Sequence, residues 1–341
     1  MNHYFSKDEN DVQFYHEYLA GRLPKKIIDA HMHINLPEHV AAVSEQTIKG
    51  DWAMECGFIM PYEDARIYHS ALFPDIEVQM VALPMPLREA DIPANNEYLS
   101  KLTKDHQITS LMTIRPEWNA EYVEQILLEG HFSGFKPYPY MAAPEKGAEV
   151  SIFDFLTRDH LKIADRYGKA VLLHLPRKGR LADNDNVREI KTIVQDYPNL
   201  RLVIAHYGRC FNLSFFKEGL KKLGDDKNAL YFDTAAVINP EVHREALQSL
   251  KITQILFGMD LPILLWHGKR RWTEREYFNL CREEFSWNTH SEPDAEKNYT
   301  FFVYEQCRAM LDSVEKEGGS AQDVKELFFH NANKVYNKIS G

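Results

Sequence analysis

The chain has no apolar run long enough to cross a bilayer as a helix. It has little cysteine: Cys56, Cys210, Cys281 and Cys307 lie far apart and form no C-x-x-C pair, which argues against a disulfide framework and for reduced thiols in a cytoplasmic protein. Basic residues are in deficit, 40 Lys and Arg against 50 Asp and Glu. The net charge of −10 argues against nucleic acid or an anionic membrane as the main partner. The polar, acidic start, Met1 to Asp11, lacks the apolar core of a signal peptide. No Pro/Ser-rich linker, low-complexity tract or solenoid repeat divides the 341 residues, so the expectation is one domain, 26–341, behind an N-terminal extension, 1–25. A glycine-rich turn after the first strand is also missing. His31-Met32-His33-Ile34-Asn35 stands in its place, which disfavours an open nucleotide-binding sheet.

What the chain does have is eight short apolar runs, each followed by a helical pattern. The expected strands are Lys26–Asn35, Glu77–Leu83, Ile108–Arg115, Ser133–Tyr138, Ala170–Leu175, Arg201–His206, Leu230–Thr234 and Gln254–Asp260. Helical periodicity marks Pro116–Glu129, Ile152–Tyr167, Val187–Tyr197, Leu213–Leu223 and Pro240–Leu250, several of them ending at Gly or Pro. Alternation of this kind predicts an α/β fold, a (β/α)8 TIM barrel. A barrel needs about 250 residues. The surplus falls in the extension, in a long first crossover (35–76) rich in Trp, Tyr and Met, and in a C-terminal part (262–341) read as a basic loop and extra helices.

The polar residues fall on strand ends. His31 and His33 close the first strand, His174 the fifth, His206 the sixth and Asp260 the eighth. Alternation along a strand would put Asp29, His31 and His33 on one face, where two imidazoles can reach one metal ion. A histidine pair on a strand usually means nothing by itself. Four of 15 histidines on strand ends, at the barrel rim where active sites of this fold sit, point to a site. Asp29 is read as a support for the histidines, and His330 as a buried or capping residue of the last helix.

Asp29-Ala30-His31-Met32-His33, His174, Ala205-His206-Tyr207-Gly208, Gly258-Met259-Asp260-Leu261-Pro262 and Phe329-His330-Asn331-Ala332-Asn333 together resemble the amidohydrolase superfamily. The likeness is to its amidohydrolase-2 branch, which includes aminocarboxymuconate-semialdehyde decarboxylase, and runs over residues 26 to 338. It implies one divalent metal on His31, His33, His174 and Asp260, with His206 as an unligated acid/base. Such N and O donors suit Zn²⁺, with Mn²⁺ or Fe²⁺ as alternatives. Asp260 would take a proton from water and His206 would polarise or protonate the substrate.

Lys136 ends the fourth strand, where two-metal relatives carry a carboxylated lysine. A substrate-facing or structural lysine is the preferred reading here. Arg115, Arg177, Arg180, Arg209 and the run Lys269-Arg270-Arg271-Trp272 follow strand ends, so Lys136, Arg177 and Arg209 are expected to meet a small anionic substrate. The alternative is that these arginines pair with the abundant acids. The reading is a metal-dependent hydrolase of a lactone, ester or amide, with non-oxidative decarboxylation of an aromatic or unsaturated acid second. A non-catalytic scaffold is third. A homodimer is the expected assembly.

Overall fold

Eight parallel strands hydrogen-bond in chain order: Lys26–His33 (β1), Glu77–Leu83 (β2), Thr109–Thr113 (β3), Gly134–Lys136 (β4), Ala170–Leu173 (β5), Arg201–Ile204 (β6), Tyr231–Asp233 (β7) and Ile255–Leu256 (β8). The computed structural model describes residues 6–106, 108–143, 147 and 149–336, so the ends of the expected extension (1–5) and barrel domain (337–341) lie outside the described residues. The barrel closes on itself. Ala30 N–H donates to Phe257 O (2.9 Å), Asp260 N–H to His31 O (2.8 Å) and His33 N–H to Leu261 O (2.8 Å).

Strand side chains divide between two apolar layers. Ile28, Ala30, Val81, Leu172, Val203 and Leu256 fill the barrel, with Val335 and Tyr336 of the last helix against them. Their neighbours Ile27, Val171, Leu173, Leu202 and Ile204 pack outward against the helices. Burying each such side chain stabilises the fold by about 1.5–3 kcal/mol. The helices start on polar caps that periodicity alone does not show. Asp183 accepts from the N–H groups of Asp185 and Asn186, so the helix read from Val187 begins at Asn184, and its Val187, Ile190 and Ile193 are buried.

β1 departs from simple alternation. Its register against β2 shifts between Asp29 and Met32, the mark of a β-bulge, which changes the phase of the side chains. Ile28 and Ala30 point into the barrel, yet so do His31 and His33, while Asp29 leaves the histidines' face. Its Oδ2 lies 3.5 Å from His69 Nε2 on the helix Tyr62–Leu72. Its Oδ1 accepts from the backbone N–H of His31 (3.0 Å) and of Met259 (2.8 Å), filling the gap the bulge leaves in the ladder. Asp29 supports the histidines through the backbone, from the opposite side to the one expected.

The C-terminal part also differs from expectation. The basic run is a strand, Gly268–Trp272 (β9), paired with Tyr277–Cys281 (β10) in an antiparallel hairpin. Lys269 and Arg271 face out and Arg270 faces in, a period of two that the dense charge disguised. Helices follow at Phe302–Lys316, Ala321–Lys325 and 326–336. His330, expected to be buried or capping, is exposed. Its neighbour Asn331 is the buried one, donating from Nδ2 to Ile252 O and Ile255 O at the foot of β8 (2.8 Å each). The N-terminal segment packs here too. Buried Asp11 accepts from Phe301 N–H (3.1 Å), and its Oδ2 lies 3.0 Å from His267 Nε2. Among the described residues no helix is long and apolar enough to cross a membrane, and no cysteine forms a disulfide.

Candidate metal centre

At the C-terminal rim the strand-end histidines converge, and three of them are oriented by a hydrogen bond on Nδ1. His31 Nδ1–H donates to Asp233 Oδ2 on β7 (2.8 Å), His33 Nδ1–H to Pro84 O (3.0 Å) and His206 Nδ1–H to Ala235 O (2.9 Å). Carboxylate and carbonyl oxygens accept only, so these bonds place the proton on Nδ1 and leave a lone pair on each Nε2. Asp260 Oδ1 lies 3.5 Å from His31 Nε2 and 3.4 Å from His33 Nε2. Ligand atoms of His31, His206 and Asp260 all fall within 4.8 Å of one another. His33 touches this group through Asp260. His174 stands next to it, its ring 5.5 Å from that of His206, with a buried Nδ1 that has no hydrogen-bond partner among the described residues.

The backbone bends to bring these side chains in. β6 ends at Ile204, two residues earlier than the sequence suggests, and His206, Tyr207, Gly208 and Arg209 all have positive φ (55°, 49°, 72° and 61°). Left-handed conformations in non-glycine residues cost about 1–2 kcal/mol each. Here the surroundings impose them: His206 N–H donates to Asp233 Oδ1 at 2.6 Å, so one carboxylate holds the His31 ring and the His206 backbone together. Asp260 is left-handed as well (φ 60°). Gly258 lets its strand pass close beside β1, since a Cβ there would fall 2.9 Å from His31 Cβ.

Burial is the dominant electrostatic influence. It pushes the imidazoles of His31 and His174 well below their usual range and that of His206 to about 4, so all three are neutral at pH 7. Burial also acts on Asp260, but the surrounding His31, His33 and His206 imidazoles oppose it and hold the carboxyl well below the usual carboxylate range. Lys136 is fully buried beneath the centre. Burial lowers its ammonium to about 8 against the opposing pull of Asp233 and Asp260, and its Nζ finds no hydrogen-bond partner among the described residues.

Two connected chambers open above these groups. The inner, of about 130 Å³, is lined by His31, His33, His206, Asp260 and Arg270. The outer, of about 560 Å³, includes Thr47, Arg88 and Glu89. Asp51, Tyr138, Tyr140, His174 and Arg209 border both. The first crossover supplies Asp51 and Trp52 to this wall, whereas its Tyr68 is plain core. Arg209 is thus at the site, donating to Leu175 O at 3.2 Å. Arg177 is not. Its guanidinium is buried against Glu189 (2.9 and 3.1 Å) and Asn186 (2.7 Å), and it lines neither chamber. Of the two readings of the arginines, pairing with an acid is the one that describes Arg177. Sequence reasoning passed over Asp233, whose place at the end of the seventh strand was the available signal. It also saw Arg270 only as part of a charge run.

No family model matches the sequence, and no curated protein matches it. Solved structures match across the fold. An amidohydrolase II structure covers 92% of this chain and 100% of its own at 14% identity, with TM-score 0.55. A dihydroxybenzoic acid decarboxylase from Polaromonas sp. JS666, with bound manganese and the inhibitor 2-nitroresorcinol, covers 92% and 97% at 14% identity and TM-score 0.54. A probable 2-pyrone-4,6-dicarboxylic acid hydrolase from Acinetobacter baumannii, with citric acid bound, covers 91% and 99% at 12% identity and TM-score 0.53. The fold expected from the amidohydrolase-2 resemblance is the fold this chain has.

Proposed function

We propose that the chain is a metal-dependent hydrolase of the amidohydrolase-2 type that cleaves a lactone, ester or amide bond in a small anionic substrate. One observation carries this reading: the ionised Asp260 carboxylate stands against the free Nε2 edges of His31 and His33, beside His206, in a site open to a cavity. Neutral imidazole nitrogens and a carboxylate suit a divalent ion, zinc foremost and manganese or iron as alternatives. The residues present fit one, since three imidazoles have Nδ1 engaged and Nε2 turned to the centre, and His174 keeps a buried nitrogen with no partner among the described residues. His31, His33, His174 and Asp260 would hold it, and His206 Nε2 is close enough to join them.

When bound, such an ion supplies Lewis acidity and brings the pKa of water from 15.7 to about 7. Asp260 would accept a proton from water and pass it to the leaving group. His206, with Nδ1–H given to Ala235 O, presents an acceptor at Nε2 and must receive a proton before it can deliver one. Arg209 at the side offsets negative charge on the substrate, while Lys136, fully buried and outside the lining of both chambers, adds its charge from behind the wall. Decarboxylation is the second reading, favoured by the aromatic wall of Tyr138, whose ring lies 4.8 Å from that of His174, and Tyr140. A decarboxylase also shares the fold.

The test is a mass-spectrometric screen of the metal-loaded protein against carboxylated lactones, amides and aromatic acids, with a His206→Asn control. Products that have gained water are expected. Products that have lost carbon dioxide would overturn hydrolysis in favour of the second reading.

A further inference from the structure

Arg270 is a buried cation without an acid. It is 4% exposed and lines the inner chamber, yet no carboxylate among the described residues lies within ion-pairing distance of it. Its Nε donates to Asn279 Oδ1 (2.8 Å) on the facing strand of the hairpin and its Nη1 to Ala236 O, while Nη2 takes no acceptor among the described residues. The guanidinium lies over three rings, with centroid distances of 4.3 Å to Phe211, 4.7 Å to Tyr277 and 5.1 Å to Phe302. Cation–π contacts of this kind are attractive to the charge. They fix the group in place but do not neutralise it. Behind the chamber wall a second cation, Arg180, lies over the same Phe211 and Tyr277 at 5.8 and 5.3 Å, and among the described residues its guanidinium donates one hydrogen bond, to Asn212 Oδ1 (3.3 Å). Arg209 completes the positive side of the chamber, and no acid among the described residues pairs with it either.

An ionised group taken out of water is costly unless it is paired. In a chain of net charge −10, two cations of one chamber, Arg270 and Arg209, stand without an ion-paired acid among the described residues and call for a negative partner from outside. We infer that Arg270 is the specificity-determining residue of the site, receiving a carboxylate of the substrate in the inner chamber. The substrate class is a planar carboxylic acid: the aromatic walls accept a flat body, Arg270 takes one carboxylate and Arg209 a further negative group. A guanidinium with one edge already anchored offers the incoming carboxylate a charge-assisted hydrogen bond with little loss of side-chain freedom. The hairpin β9–β10 exists, in this view, to carry Arg270 into the barrel mouth. The inference rests on the site being a substrate site, but not on which bond is cleaved there.

Binding therefore tests it without turnover. Manganese-loaded and metal-free protein would each be titrated calorimetrically with isophthalate and with the neutral isophthalamide, in the wild type, Arg270→Met and Arg270→Lys. Wild type is expected to prefer isophthalate in both metal states. Arg270→Met should weaken isophthalate at least tenfold and leave isophthalamide within twofold, with metal content unchanged. Arg270→Lys keeps the stem and charge but loses the planar fork. It should weaken isophthalate at least threefold, and it carries the test alone if Arg270→Met does not fold. Wild type that fails to distinguish acid from amide would overturn the inference. So would variants that bind isophthalate as the wild type does. Absence of turnover on every compound in the product screen would count against the hydrolase reading and leave this result standing.

Discussion

Replacing Asp233 by Asn changes one atom and reaches the whole centre. The carboxylate accepts from His31 Nδ1–H through Oδ2 and from His206 N–H and Ala235 N–H through Oδ1. An asparagine can keep its oxygen toward the two backbone groups only by turning its NH2 toward His31, donor against donor. His31 then escapes the clash by moving its proton to Nε2, which removes the lone pair that faces Asp260. The lost charge-assisted bond is worth about 1.5–3 kcal/mol, and partners of this kind typically control metal affinity by about 10–100-fold. A Kd weakened ~30-fold subtracts about 2 kcal/mol from the stabilisation that saturating metal confers. Competitive titration of Zn²⁺ against a chelating dye measures the first quantity, and thermal melts with and without metal measure the second. A variant that binds zinc within threefold of wild type, with the same metal-induced rise in Tm, would refute the reasoning.

Four other substitutions test the packing, the binding and the ion pairs. Arg177→Met strands Glu189 in the interior and should lower Tm, since breaking a buried pair costs about 3–5 kcal/mol; KM should stay within twofold, whereas Arg209→Met should raise KM several-fold with Tm little changed. Gly258→Ala drives a methyl group into His31 and should cost about 1–3 kcal/mol of overpacking, read as lower Tm together with weaker metal binding. His267 has a carboxylate at each ring nitrogen, Asp11 Oδ2 at 3.0 Å and Glu283 Oε1 at 2.6 Å. Burial opposes the imidazolium but the two carboxylates prevail, so its pKa is raised in the folded state. Its contribution is then full below about pH 6.5, the unfolded value, and is lost as pH rises through the folded pKa. The Tm gap between wild type and His267→Gln should be widest at pH 6 and narrow toward pH 9; a constant gap would contradict this.

The barrel was legible because the strands are short apolar runs and several of the helices between them end at Gly or Pro, signals local enough to read in a single chain. The histidines and Asp260 were legible for the same reason, as polar residues closing apolar runs. What escaped depends on long-range pairing. The bulge in β1 is set by its closure against 257–261, so nothing local showed that Asp29 would leave the face of His31 and His33. Asp233 looked like ordinary strand until β7 was placed between His31 and His206. Arg177 lies 12 residues from Glu189, and only the loop that folds it back onto the helix Asn184–Asp196 reveals the pair. The hairpin was the legible feature that was misread, since Gly268 to Trp272 alternates buried and exposed in the way strands do.

Anomalous diffraction from crystals grown with Mn²⁺ or Zn²⁺, beside metal analysis of wild type and Asp260→Ala, addresses the centre itself. One strong peak per chain within bonding distance of the His31 Nε2 and Asp260 carboxylate, lost with Asp260, is the expected result. A protein that carries no divalent ion there, or carries it equally well without Asp260, would contradict the metal centre and the chemistry built on it.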